Sequence, residues 1–152
     1  MVNLSDLKRQ ILLKALTDEE LKIIAERIKP VKYPLGKLIF MEGETTKGIY
    51  LIKTGKIEIS KNTPDGWKQT LAVLNDDHFF GELSVIEDKK EHGAIATAIE
   101  NTDLYLIPTD DLRSLEQDHP KIMYKIMKTI AQVASRNVHT MNEKLVKLLI
   151  SY

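Results

Sequence analysis

The sequence predicts a mainly β domain, a small β-roll held between helical flanks. Two observations carry that reading. All seven glycines, at positions 36, 43, 48, 55, 66, 81 and 93, lie in the middle of the chain, with none in the first 35 residues or the last 59. Between them run short period-two or wholly apolar stretches, as in half-buried and buried strands, whereas both flanks repeat apolar residues at helical spacing.

In the first flank a short helix is expected over Leu4 to Leu13. A second follows Thr17-Asp18-Glu19-Glu20, where a threonine at the N-cap and a carboxylate three residues on form a capping box. Leu21, Ile24, Ala25 and Ile28 continue it until Pro30. The middle zone offers strands at Leu38 to Met41, Ile49 to Ile52, Ile57 to Ile59, Thr70 to Leu74, Ile95 to Ile99 and Leu104 to Ile107. Pro64-Asp65-Gly66 reads as a hairpin turn, followed by Trp67 as a partly exposed strand residue. Glu42-Gly43-Glu44 and Thr54-Gly55-Lys56 read as tight corners with positive φ.

From Thr109 the helical period returns. Thr109 is the expected cap of a short helix with Asp110 and Asp111 in its first turn, and Pro120 suits the first position of a long one. Along that helix Met127, Ala131, Ala134, Val138, Met141, Leu145, Leu148 and Tyr152 recur at alternating spacings of four and three, a coiled-coil-like seam. Ile122, Ile126, Ile130 and Val133 make a second stripe on an adjacent face. Two apolar faces imply two surfaces to cover, the chain's own roll and a partner helix; a single wide core-facing stripe is the alternative.

Composition excludes several classes of function. At 152 residues and 43% hydrophobic content the chain makes one domain with one core, spanning 1–152. N-terminal helices take 1–29, the roll 30–108 and the C-terminal helices 109–152. Lys and Arg number 22 and so do Asp and Glu, so no basic excess points to nucleic acid or a membrane surface. Without cysteine there is no disulfide, thiolate zinc site or thiol nucleophile. No run is long and apolar enough to span a bilayer, and the N-terminus lacks signal-peptide character, so the expected location is the cytoplasm. His78, His92, His119 and His139 have no metal-ligand spacing, and no nucleophile-elbow, Walker or triad pattern occurs, so no enzyme activity and no metal are expected.

The chemistry is concentrated in Phe80-Gly81-Glu82-Leu83-Ser84 and the later Gly93-Ala94-Ile95-Ala96-Thr97-Ala98. A glycine turn lets the backbone approach a phosphate, the amides after it open a helix, and Glu82 is placed to accept from a sugar hydroxyl. This segment resembles the phosphate-binding cassette of the cyclic nucleotide-binding domain. The wider order, from Leu16-Thr17-Asp18-Glu19-Glu20-Leu21 through Pro34-Leu35-Gly36-Lys37-Leu38-Ile39-Phe40 to Tyr50-Leu51-Ile52-Lys53-Thr54-Gly55-Lys56-Ile57, resembles the sensory domain of the catabolite-activator (CRP/FNR-like) family.

The resemblance implies an eight-stranded, jelly-roll-like β-roll and a ligand site made by Phe80, Gly81, Glu82, Leu83, Ser84, His92, Gly93 and Ala94, with Thr140 and Asn142 where the family's long helix reaches the base. It also implies a cyclic nucleotide, cAMP or cGMP, as ligand and a homodimer through the long helix. The chain departs from the pattern in two places. Asp77-His78 stands where the family has Gly-Asp, and His92-Gly93 stands where it has an arginine followed by serine or threonine. An imidazole is shorter than a guanidinium, has at most two donors and is only partly protonated near neutral pH. Losing one charge-assisted contact costs about 1.5–3 kcal/mol, about ten- to a hundredfold in affinity. Lys89 and Lys90 either restore charge from the loop or form a solvated tip.

The expected function is therefore a regulatory sensor that binds a cyclic nucleotide weakly, or another small anionic ligand, and signals by helix movement at a dimer interface. The alternative is a dimeric interaction module that keeps the fold without the nucleotide. Direct binding to DNA by these 152 residues, or insertion into a membrane, is not expected.

Overall fold

The computed structural model describes residues 2–151. The first flank folds as α1 (Leu4–Lys8), a 3-10 turn (Ile11–Leu13) and α2 (Asp18–Ala25). The single helix expected over Leu4 to Leu13 breaks at Gln10, which is buried and donates its side-chain amide to the Ile52 carbonyl at 2.9 Å. Thr17 and Glu20 close the capping box of α2 in both directions. That helix ends before Pro30 because residues from Lys29 onward belong to a strand.

The strands are β1 (Lys29–Tyr33), β2 (Leu38–Phe40), β3 (Gly48–Thr54), β4 (Ile57–Asn62), β5 (Lys68–Leu74), β6 (Phe79–Phe80), β7 (Ile95–Ala98) and β8 (Thr102–Pro108). They form two antiparallel four-stranded sheets in the orders β1-β8-β3-β6 and β2-β7-β4-β5, a jelly-roll arrangement. Neither β1 nor β6 was legible as a strand. β1 carries Pro30 and two lysines on a sheet edge, where a missing N–H is tolerated, and β6 is only two residues long. The expectation of a mainly β chain is corrected to a mixed one, because helical residues outnumber strand residues and the last helix alone has 31.

Side-chain alternation along β3 divides the core in two. Ile49 and Leu51 face the cluster under the helices, with Leu12, Ile24, Ile107, Leu115 and Ile126. Tyr50 and Ile52 face the interior of the roll, with Phe40, Ile57, Phe80 and Leu104. The corner before β6 has the left-handed turn without glycine, since Asp77 takes φ 72° and its N–H donates to the Ile52 carbonyl at 2.8 Å.

Between β6 and β7 lies the short cassette helix α3 (Glu82–Ile86), and after β8 come α4 (Thr109–Asp118) and α5 (Pro120–Ile150). Thr109 is not the cap of α4. Pro108 holds that position, and the Thr109 hydroxyl is buried without a hydrogen-bond partner. Ile122, Ile126 and Ile130 of α5 are buried and Val133 is half-buried, as the core stripe requires. Lys125 ties α5 to α2 through Glu20 at 2.6 Å. From residue 134 to 151 every residue of the chain is exposed, so α5 overhangs the body by about 27 Å at 1.5 Å per residue. The seam residues Val138, Met141, Leu145 and Leu148 lie on this overhang, and Tyr152 falls outside the described residues. No described helix is long and apolar enough to cross a membrane.

Candidate functional site

Cassette geometry begins at Gly81, which caps α3 with φ +82°. A side chain there would begin 3.0 Å from the Gly48 carbonyl oxygen and 3.4 Å from the Tyr50 ring, so both conformation and space require glycine. Glu82 follows in the first turn of α3, half-buried, and burial pushes its carboxyl above its ordinary range. α3 has only five residues, so its dipole contributes little beyond its free amides. Leu83 is exposed, whereas Ser84 is buried and turned towards His92.

His92 defines the site. Its side chain is 2% exposed and lies flat on Phe40, with ring centroids 3.6 Å apart and planes 7° from parallel. Nδ1 is 3.2 Å from the Ser84 hydroxyl, and Nε2 is buried without a hydrogen-bond partner. The backbone is fixed as well. The His92 N–H donates to the Glu44 carbonyl at 2.8 Å, and the His92 carbonyl accepts from the Gly43 N–H at 2.9 Å. Burial lowers the imidazole pKa below its ordinary value; the Glu44 carboxylate opposes that shift and Lys47 adds to it. Burial thus favours the neutral form of this ring.

Phe80 does not face a ligand space. It stacks on Tyr50 at 5.0 Å, and Phe40 stands 6.0 Å from each of them. Phe40, Tyr50 and Glu44 were missed as members of the site. The only sequence signal for Phe40 and Tyr50 was the inward alternation of Leu38 to Met41 and of Ile49 to Ile52, which also describes ordinary core, and Glu44 was read only as part of a glycine corner. Burial together with the neighbouring Tyr33 and Glu44 raises the Tyr50 hydroxyl pKa far above normal, so Tyr50 stays protonated.

Gly93 is exposed, has no positive φ, and a side chain there would meet nothing within 4 Å. Ala94 is half-buried just before β7. The structure therefore brings Gly81, Ser84 and His92 together, with Glu82 beside them. It does not bring Thr140 and Asn142 to them, since both lie on the exposed overhang of α5. Lys89 pairs with Glu87 at 3.3 Å and, like Lys90, is exposed. Both lysines line a groove of about 970 Å³ outside the roll, between the cassette loop and the α4–α5 corner, together with Ser84, Leu112 and Met123. No cluster of possible metal ligands occurs among the described residues.

These features, a jelly roll with a glycine-turned cassette and a long trailing helix, define a regulatory ligand-binding domain. The family described as "Cyclic nucleotide-binding domain" matches residues 30–119. A CRP-like cAMP-activated global transcriptional regulator of Mycobacterium tuberculosis is 30% identical over 128 residues, 84% of this chain and 55% of that protein. The crystal structure of the Thermus thermophilus catabolite activator protein superposes with a TM-score of 0.77 at 28% identity, covering 91% of this chain and 63% of that one. A cyclic nucleotide-binding domain from Methylobacillus flagellatus has a TM-score of 0.84 at 22% identity, covers 94% of this chain and 82% of that one, and supports the fold alone. The chain belongs to the cyclic nucleotide-binding domain family, in its CRP-like branch. It spans a little over half the length of the CRP-like relatives it matches.

Proposed function

We propose that this chain is a sensor domain that binds a cyclic nucleotide, cAMP or cGMP, weakly, or another small anionic ligand, and passes the event to a second copy through α5. The observation that carries the reading is His92. At the position where the family holds the cyclic phosphate by a fixed charge, this chain offers a neutral, buried imidazole already engaged with Phe40 and Ser84. What remains is the backbone around Gly81 for a phosphate and the side chain of Glu82 for a sugar hydroxyl, which supports binding without the guanidinium's share of the affinity. The dimer half of the reading is supported by the overhang of α5, whose apolar residues Val138, Met141, Leu145 and Leu148 are left exposed by the described residues. No catalytic step is assigned.

A second reading, a dimeric interaction module without a nucleotide, is favoured by the same ring. A ligand that displaces the ring must offset the Phe40 stack and the Ser84 contact, about 1.5–2.5 kcal/mol before what is recovered by freeing the buried Nε2. Titration calorimetry with cAMP, cGMP and cyclic dinucleotides, run beside sedimentation of the same samples, decides between them. Binding heat in the micromolar-to-millimolar range is the sensor's signature. A stable dimer that gives no heat with any of these ligands is the module's.

A further inference from the structure

The strap between β2 and β3 is stitched to the second half of the cassette. The Gly43 N–H donates to the His92 carbonyl at 2.9 Å, the His92 N–H to the Glu44 carbonyl at 2.8 Å, and the Thr46 N–H to the Lys90 carbonyl at 2.8 Å, with a lone β-bridge between Thr45 and Glu91. The far end of the strap is held by α4, whose first residue, Thr109, donates its N–H to the Lys47 carbonyl at 2.9 Å. Gly48 comes next, with φ +149° and no room for a side chain, which would run into the Ile107 carbonyl. Its own carbonyl oxygen lies 3.0 Å from where a side chain at Gly81 would begin. Lys47 is thus presented from a backbone fixed on both sides, next to the residue that packs on the glycine turn of the cassette.

We infer that Lys47 is the cation of this cassette, its ammonium taking the ligand's phosphate in place of the buried His92 ring. The inference rests on the sensor reading above. Three observations single out this lysine. Its side chain is exposed and has no ion-pair partner among the described residues, so its charge is available to a ligand. That charge is felt at His92, whose pKa it helps to depress, so the ammonium and the imidazole share one end of the site. Glu44 acts on the same ring with the opposite sign and Glu82 stands in the first turn of α3, yet neither forms an ion pair with Lys47. The other lysines of the cassette loop turn elsewhere. Lys89 pairs with Glu87, and both it and Lys90 line the groove outside the roll, which Lys47 does not. A lysine held at its backbone and free at its tip can swing a compact charge on a flexible four-carbon stem towards an anion lodged at the Gly81 turn. It attracts a phosphate without the two-point grip of a guanidinium, which agrees with weak binding.

Lys47→Met keeps most of the stem and the carbonyl that Thr109 uses while removing the charge, and Lys47→Arg keeps the charge. Calorimetry with cAMP and with cGMP is run on the wild type and both variants across a series of salt concentrations, beside the double variant His92→Arg with Gly93→Ser as a check that the pocket is open. Lys47→Met is expected to weaken binding about tenfold and to flatten its salt dependence, because the attraction it removes is the one that salt screens. Lys47→Arg should keep most of the affinity and the slope. Urea midpoints of the three proteins should agree, since an exposed side chain is all that changes. Wild-type binding that Lys47→Met leaves unaltered overturns the inference and leaves the sensor reading standing. A loss that keeps the wild-type salt slope, or that Lys47→Arg shares in full, also overturns it, because the missing group is then not a charge. A wild type without heat beside a double variant that binds does the same, as the lysine then holds nothing. No heat from either protein overturns the sensor reading and this inference with it.

Discussion

The double change His92→Arg with Gly93→Ser tests the cassette most directly. In the ligand-free protein it removes the Phe40 stack, about 0.5–1.5 kcal/mol, and the Ser84 contact, about 1 kcal/mol. It also removes a buried Nε2 without a partner, which recovers about 1–3 kcal/mol. These contributions nearly cancel, and the hydroxymethyl group added at position 93 enters open space, so the variant should fold. The guanidinium introduced at position 92 cannot stay buried as an unpaired charge and must turn to the cassette opening, where one charge-assisted contact is worth about 1.5–3 kcal/mol. Calorimetry should find cyclic nucleotide affinity raised by about ten- to a hundredfold.

The pH dependence has a definite sign. The free imidazole is held below its ordinary pKa, and an anion placed beside it would raise that pKa, so binding takes up a proton. Wild-type affinity should therefore rise as pH falls through the window between the two values, and this dependence should vanish in the double variant. Both proteins are best compared in a Glu82→Gln background, because Glu82 titrates above its ordinary range and would add its own slope. A folded double variant with unchanged affinity, or a wild type whose affinity falls on acidification in that background, would refute the reasoning.

Three further outcomes are expected of the same structure. Met141→Glu sets two carboxylates near the α5 two-fold and should shift sedimentation to monomer at tens of micromolar, since Met141 is exposed in the single chain and its loss costs the core nothing. Lys125→Met should cost about 1 kcal/mol at neutral pH by removing the clamp on Glu20. Lys125 holds the Glu20 pKa down, so that difference, read from urea midpoints, should persist above the unfolded carboxylate range and shrink as acid protonates Glu20. For His92 the linkage runs from a depressed folded pKa. The unfolded chain binds the extra proton first, so wild-type stability should decline as pH drops below about 6.5, and His92→Gln should flatten that slope.

The roll, the helical flanks and the place of the cassette could be read from the residues alone, because these depend on local rules. Glycine is needed where φ is positive, as at Gly81; threonine and glutamate close a box at Thr17 and Glu20; and apolar period separates strand from helix. The core stripe of Ile122, Ile126 and Ile130 followed from the same period, whereas Val138 and Met141 are exposed because they lie on the overhang, where residues on every face of the helix are exposed. β1 was not legible, because a strand containing Pro30 and two lysines is made by its pairing with β8 rather than by its own pattern. Nor was the cap of α4, where a threonine next to the proline gave up the role that its side chain suggested. The behaviour of His92 came from long-range packing. The family resemblance alone marked position 92 as one where an arginine is expected; only the packing of β2, α3 and the cassette loop turned the imidazole onto Phe40 and out of water, and burial of this kind sets the charge of a titratable group.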